Sequence, residues 1–136
     1  MSSGFKISGV EELQAAFREV LAQAPDRIEN QGMKMMRKLR KNTKERTPVQ
    51  SGRLRKGYKL REPERLPDGF RFELYNDKPH FHLVERGHRE VDPVTGREFG
   101  FVPGVFMLEQ SVAELNADAP EDLEKWLNTL YKELHK

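Results

Sequence analysis

The sequence predicts an α+β fold: a small antiparallel β-sheet of about three to five strands packed against amino-terminal and carboxy-terminal helices, with a projecting hairpin. Three observations carry this. Before Thr47 and after Gly104, apolar residues recur at three- and four-residue spacing, the signature of amphipathic helix. Between them, short stretches alternate in character and are separated by Pro, Asp and Gly, as strands and turns are. The change falls at Thr47-Pro48-Val49-Gln50-Ser51-Gly52-Arg53-Leu54-Arg55. Pro48 has no amide hydrogen and disfavours helix at the residue before it, so an arriving helix stops near Thr47. Ser51 and Gly52 then supply turn chemistry.

At 136 residues the chain is expected to form one domain, 1–136, long enough to bury roughly two-thirds of its unfolded surface. There is no cysteine, which excludes disulfides, thiolate metal sites and cysteine nucleophiles together. No apolar run approaches the ~20 residues that span a bilayer, and Met1-Ser2-Ser3-Gly4-Phe5 lacks a basic region followed by an apolar one. The expectation is a soluble, non-exported protein without a membrane partner. Charged residues make up 34% and hydrophobic ones only 36%, a lean supply of core that suits a subunit of a larger assembly.

Each element follows from its residues. Phe5, Ile7 and Val10 flank Ser8-Gly9, a short extended segment before a helix capped near Ser8 or Gly9, with Glu11 and Glu12 at its positive end. Val10, Leu13, Phe17, Val20 and Leu21 form one face of that helix, which ends by Ala24. Pro25 opens a second helix, with Ile28, Met35, Met36 and Leu39 as its apolar stripe. Gly57 to Arg61 and Phe70 to Tyr75 are expected to pair as an antiparallel hairpin across the turn-rich segment 63–69, with Phe70, Phe72 and Leu74 on one face. His80 to Arg86 suits one or two helical turns closed by Gly87. His88 to Pro103 suits a protruding hairpin with arms at Glu90-Val91 and Phe99-Gly100-Phe101-Val102. Val105, Leu108, Val112 and Leu115 then give a helical stripe. Asp118-Ala119-Pro120 is expected to end it, and Leu123, Trp126, Leu127, Leu130, Tyr131 and Leu134 mark a last helix.

Charge is placed unevenly. From Lys34 to Arg61 there are twelve basic residues against the single acid Glu45, a net +11, while Val105 to Lys136 holds three bases and seven acids, a net −4. The basic residues Lys34, Arg37, Lys38, Arg40, Lys41 and Lys44 cover the second helix, and Arg53 and Arg55 follow the turn. So polarised a surface suits nucleic acid, an acidic protein, or head-to-tail contact between copies. Neutralisation of a DNA backbone by Lys and Arg would give salt-dependent, sequence-independent affinity, and aromatic interleaving for stacking on single strands is absent.

Catalytic and metal chemistry find no convergent set. His80, His82, Glu85 and His88 are the one cluster resembling metal ligands. A strand would put the first two on one face, a helix would put His82 with Glu85, and neither geometry gathers all four. Ser51, His82 and Asp92 are triad residue types, but nothing in the sequence brings them together.

Four blocks, in order, resemble the small tail-component proteins of long-tailed phages and prophages, found at the neck or head-tail junction and often called tail-completion proteins. They are Ile7-Ser8-Gly9-Val10-Glu11-Glu12-Leu13; the basic helix running into Thr47-Pro48-Val49-Gln50-Ser51-Gly52-Arg53-Leu54; His82-Leu83-Val84-Glu85-Arg86-Gly87-His88; and Phe101-Val102-Pro103-Gly104-Val105-Phe106-Met107-Leu108. Gln50 stands where that family usually has aspartate, Ser51 where it has threonine, and Phe81 near a position usually tyrosine. The resemblance marks Pro48, Gly52, Leu54, Glu85, Gly87 and Pro103 as motif positions. It implies a structural virion protein without catalysis or cofactor, assembled as a homo-oligomeric ring around the DNA channel between head-completion or connector proteins and tail-tube or tail-terminator proteins. Host cytoplasm during assembly and the virion afterwards are the implied locations. Under this reading the basic face meets DNA in the lumen or a neighbouring subunit, and the hairpin residues Glu90, Val91, Arg97, Phe99 and Phe101 meet the next copy. The alternative is a free, basic nucleic-acid-binding protein.

Overall fold

A computed structural model describes residues 10–49 and 52–135, with Val10 and Phe99 as backbone only. The expected cap at Ser8 or Gly9, and Gln50 and Ser51, lie outside the described residues. Two helices lead, α1 (Val10–Gln23) and α2 (Pro25–Arg46), separated by Ala24 alone. Pro25 sits at the start of α2, where a missing N–H costs nothing. Then follow α3 (Arg53–Lys56), β1 (Tyr58–Leu60), β2 (Glu64–Leu66), β3 (Gly69–Arg71), β4 (Leu74–Asn76), α4 (Phe81–Arg86), β5 (Gly87–Val91), β6 (Glu98–Pro103) and α5 (Met107–Leu134). The class is α+β, as the residue patterns predict.

Among the described residues the core is split in two. Ala16 and Val20 of α1, Ile28 of α2, and Leu127 and Leu130 of α5 form one buried cluster, edged by Leu13, Phe17, Leu21, Phe70 and Trp126. Leu54, Tyr58, Phe81 and Met107 form the other, edged by Leu74, Val84 and Leu108. Full burial of each Val, Leu or Phe contributes about 2 kcal/mol, so two small clusters give modest stability.

Among the described residues the strands do not join into one sheet. β1 pairs antiparallel with β4, Tyr58 opposite Asn76 and Leu60 opposite Leu74, and the Arg61 N–H extends the ladder to the Glu73 carbonyl at 3.0 Å. The connecting segment forms its own ladder, β2 with β3, Glu64 opposite Arg71 and Leu66 opposite Gly69. β5 and β6 make a third. The expected strand from Phe70 to Tyr75 is therefore broken at Phe72-Glu73. Its apolar residues serve different places: Phe70 edges the first cluster, Leu74 edges the second, and the Phe72 ring lies so close to α2 that a Cβ on Gly32 would meet it at 2.1 Å. One flat strand does not reach all three.

The carboxy-terminal region also departs from expectation, for α5 runs unbroken for 28 residues with Pro120 inside it. A proline there removes one backbone hydrogen bond and crowds the carbonyl four residues earlier, a cost of about 3 kcal/mol. Packing outweighs it. Met107 anchors one end of the helix in the second cluster, and Leu127 and Leu130 anchor the other end in the first.

Because α5 lies along α2, the acidic segment meets the basic helix of its own chain. Arg46 pairs with Glu114 and donates to Ser111 Oγ at 2.7 Å, while Arg27 pairs with Glu133 at 3.1 Å. Pro120 is exposed, so its replacement disturbs no packing. Pro120→Ala is expected to raise the free energy of unfolding by about 2 kcal/mol, the restored helix interior less the added freedom of the unfolded chain; urea denaturation monitored by circular dichroism measures it.

Candidate functional site

The turn after α2 is built on threonines. Thr43 Oγ1 donates to the Leu39 carbonyl at 2.8 Å and Thr47 Oγ1 to the Thr43 carbonyl at 2.7 Å. With that hydrogen committed, the Tyr58 hydroxyl donates to Thr47 Oγ1 at 3.0 Å. The Thr47 carbonyl accepts from Arg55 Nε at 3.0 Å, which folds α3 back against the end of α2. Gly52 enters α3 at φ 66°, a left-handed conformation open to glycine at little cost, and Leu54 is buried in the second cluster. Pro48 is exposed and acts by stopping α2.

Glu85 is 6% exposed. Its Oε1 accepts the Leu108 N–H at 2.9 Å and its Oε2 the Glu109 N–H at 3.0 Å, so the carboxylate caps the first turn of α5. Backbone bonds continue the junction, Val105 N–H to the Val84 carbonyl and Phe106 N–H to the Glu85 carbonyl, both 2.9 Å. These hold Phe106 in the left-handed region, φ 55°, as the residue before the helix. Gly87, at φ 88°, turns the chain from α4 into β5, and a Cβ there would lie 2.4 Å from the Val102 carbonyl oxygen. A Cβ on Gly104 would lie 2.4 Å from the Glu85 carbonyl oxygen. The motif positions Glu85, Gly87 and Pro103 thus belong to one junction, with Gly87 directly opposite Pro103 in the ladder.

From this junction the β5–β6 hairpin projects. Arg89 faces Phe101, Glu90 faces Gly100 and Val91 faces Glu98, the extra residue Phe99 forming an irregularity. Arg89 and Glu98 pair at 2.8 Å. At the tip, Asp92 Oδ1 accepts the Val94 N–H at 2.8 Å and the Thr95 N–H, and these two donors hold its carboxyl below the ordinary value. Val94 is 91% exposed, Phe101 60% and Val91 46%. Arg97 is exposed, Glu90 is half-buried, and the Phe99 side chain is outside the described residues.

The basic positions separate into groups. Lys34, Arg37, Lys38 and Lys41 are exposed on α2, Arg40 and Lys44 half-buried; Arg53 is exposed on α3 and Arg55 half-buried. Lys38 lines a small cleft with Asp118 and Asp122, on the α5 side. The residues weighed as metal ligands or as a triad do not gather: Glu85 turns inward to α5, His82 is exposed, Asp92 is at the hairpin tip, and Ser51 is outside the described residues. Among the described residues no three of His, Cys, Asp and Glu are grouped to hold a metal ion, and no helix is long and apolar enough to cross a membrane.

A protein-family model described as "Bacteriophage HK97-gp10, putative tail-component" matches residues 11–87, more than half of the chain. The chain belongs to this family. It is accordingly a structural component of a bacteriophage tail, and the virion is its place. The match takes in α1 to α4, the basic helix and turn, Glu85 and Gly87; most of the hairpin and all of α5 lie beyond it. Neither a curated protein nor a solved structure matches the chain.

Residue patterns missed the Thr43, Thr47 and Tyr58 chain, although the four-residue spacing of the threonines was its available sign, and they missed Gly104 and the buried Ser111. Glu85→Ala strands two N–H groups of α5 and is expected to cost about 2–4 kcal/mol in urea denaturation, with Glu85→Gln intermediate because it keeps one acceptor. Burial pushes the Tyr58 hydroxyl above its ordinary value, with the negative Glu85 adding to it. The unfolded tyrosine therefore ionises first, and stability from this group is lost as pH rises beyond about 10. Tyr58→Phe is expected to flatten that alkaline slope in thermal denaturation measured across pH.

Proposed function

We propose that this tail component is a joining subunit of a long-tailed phage or prophage, whose copies associate through the β5–β6 hairpin into an oligomeric ring at the neck, around the DNA channel. The ring sits between head-completion or connector proteins and the tail-tube or tail-terminator proteins. The observation that carries this is the hairpin. An isolated two-stranded ladder is marginal in water, and this one extends Val91, Val94 and Phe101 into solvent. A neighbouring surface that covered them would remove apolar area from water and complete the ladder's open edge. Contact of a projecting element with a different surface on the next copy is head-to-tail, and head-to-tail contacts close into rings when the rotation permits. The split core agrees with a subunit that gains stability from its neighbours.

The test is the mass of the assembly in light scattering coupled to size exclusion, for the native chain and for Val91→Ser with Phe101→Ser. The native chain is expected to form closed oligomers, and the double variant to require at least a 30-fold higher concentration, roughly the loss of one interface anchor. A native chain that stays solitary at every concentration, even beside its neck neighbours, overturns the reading.

A further inference from the structure

We propose that the outer face of α2, continued by α3, binds the phosphate backbone of duplex DNA rather than the acidic helix of a neighbouring copy. The inference rests on the reading that the chain surrounds a DNA channel, and it assigns the surface that meets the DNA.

Along α2 the acidic helix is partly engaged within its own chain. Glu114 pairs with Arg46 and accepts from Asn42, Glu133 pairs with Arg27, and Asp118 and Asp122 line the cleft that Lys38 shares. Even Glu45, the one acid of the basic stretch, borders a hollow with Asn42, Arg46 and Glu114. What remains outside is cationic apart from the exposed Glu45, one turn after Lys41. Among the described residues, Lys34, Arg37, Arg40, Lys41, Lys44, Arg53 and Lys56 form no ion pair.

Their spacing makes a surface of them. At 3.6 residues per turn Lys34, Arg37, Lys41 and Lys44 fall in one stripe, opposite the buried Ile28, Leu39 and Thr43. The stripe is about 15 Å long at 1.5 Å per residue. Duplex DNA presents one charge per about 1.7 Å of its axis, both strands counted, so the stripe lies along a run of duplex that carries about nine phosphates, those on the near side within its reach. Neighbouring cations three and four residues apart repel one another, and a polyanion removes that repulsion. The turn at Thr47 brings α3, with Arg53 and Lys56, against the end of the same helix through the Arg55 bond. No aromatic residue stands between Phe17 and Tyr58, and Tyr58 is buried, so the face offers nothing on which unpaired bases stack. It fits the backbone of a duplex without regard to sequence.

The test uses the full chain and a fluorescent mixed-sequence duplex, with anisotropy read between about 50 and about 200 mM salt. Log affinity is expected to fall linearly with log salt. Lys34→Gln with Arg37→Gln and Lys41→Gln, all exposed sites, is expected to make that slope shallower by about 2.7. Lys132→Gln on α5 leaves it unchanged. Circular dichroism confirms the fold, and light scattering reads assembly in parallel. Intact oligomers with a reduced slope support the inference, as do solitary chains that bind DNA with the native slope, although the latter overturn the ring. A native slope in the triple variant, or no salt-dependent binding by the native chain, overturns it. So does a triple variant that no longer assembles yet keeps the native slope, which would make the face a contact for acidic protein.

Discussion

A helix of 28 residues begins with backbone N–H groups that nothing within the helix can satisfy, and in this protein a buried carboxylate from elsewhere in the chain accepts two of them. Glu85 does more than close α5. It brings the end of α4 to the start of α5 and leaves so little room between them that Gly87 and Gly104 carry no side chain. The β5–β6 hairpin is the loop between those two glycines, so its direction of projection is set at the same point. The direction of α5 is set there too, and with it the acids that run along α2. The outward hairpin and the free basic face are both downstream of one carboxylate.

The parts of this architecture that were legible in the sequence are those decided locally. Pro25 and Pro48 bound α2 because a residue without an N–H opens or ends a helix whatever surrounds it. The β5–β6 hairpin followed from its turn residues and short apolar arms, and the two ends of α5 from their apolar spacing. The nested ladder between β1 and β4 was not legible. It depends on where Phe70, Phe72 and Leu74 find partners, and those partners lie on helices distant in sequence. Pro120 misled for a related reason: its local cost is real, but anchorage at both helix ends exceeds it.

The functional surfaces were read to a similar depth. The block containing Glu85 and Gly87 could be recognised as a motif, while its use as a helix cap needed the approach of the block around Pro103, a pairing that spacing alone does not reveal. Charge asymmetry was evident, and its resolution within one chain was not. Lys38 illustrates the difference: in sequence it is one more cation of the basic run, yet it stands beside Asp118 and Asp122. The helical period sorts Lys34, Arg37, Lys41 and Lys44 together only once the buried side of α2 is known.

The three separate ladders have a bearing on how the protein behaves before it meets its neighbours. Among the described residues, each two-strand ribbon leaves outer backbone groups without a sheet partner, the kind of border along which polypeptides adhere indiscriminately. Here the borders carry ions: Glu64 with Arg71, Arg61 with Glu73, Arg89 with Glu98. A stray strand laid alongside would have to desolvate or displace those pairs. Newly made chains are thereby guarded against clumping, while a surface shaped to match the ionic border is still admitted.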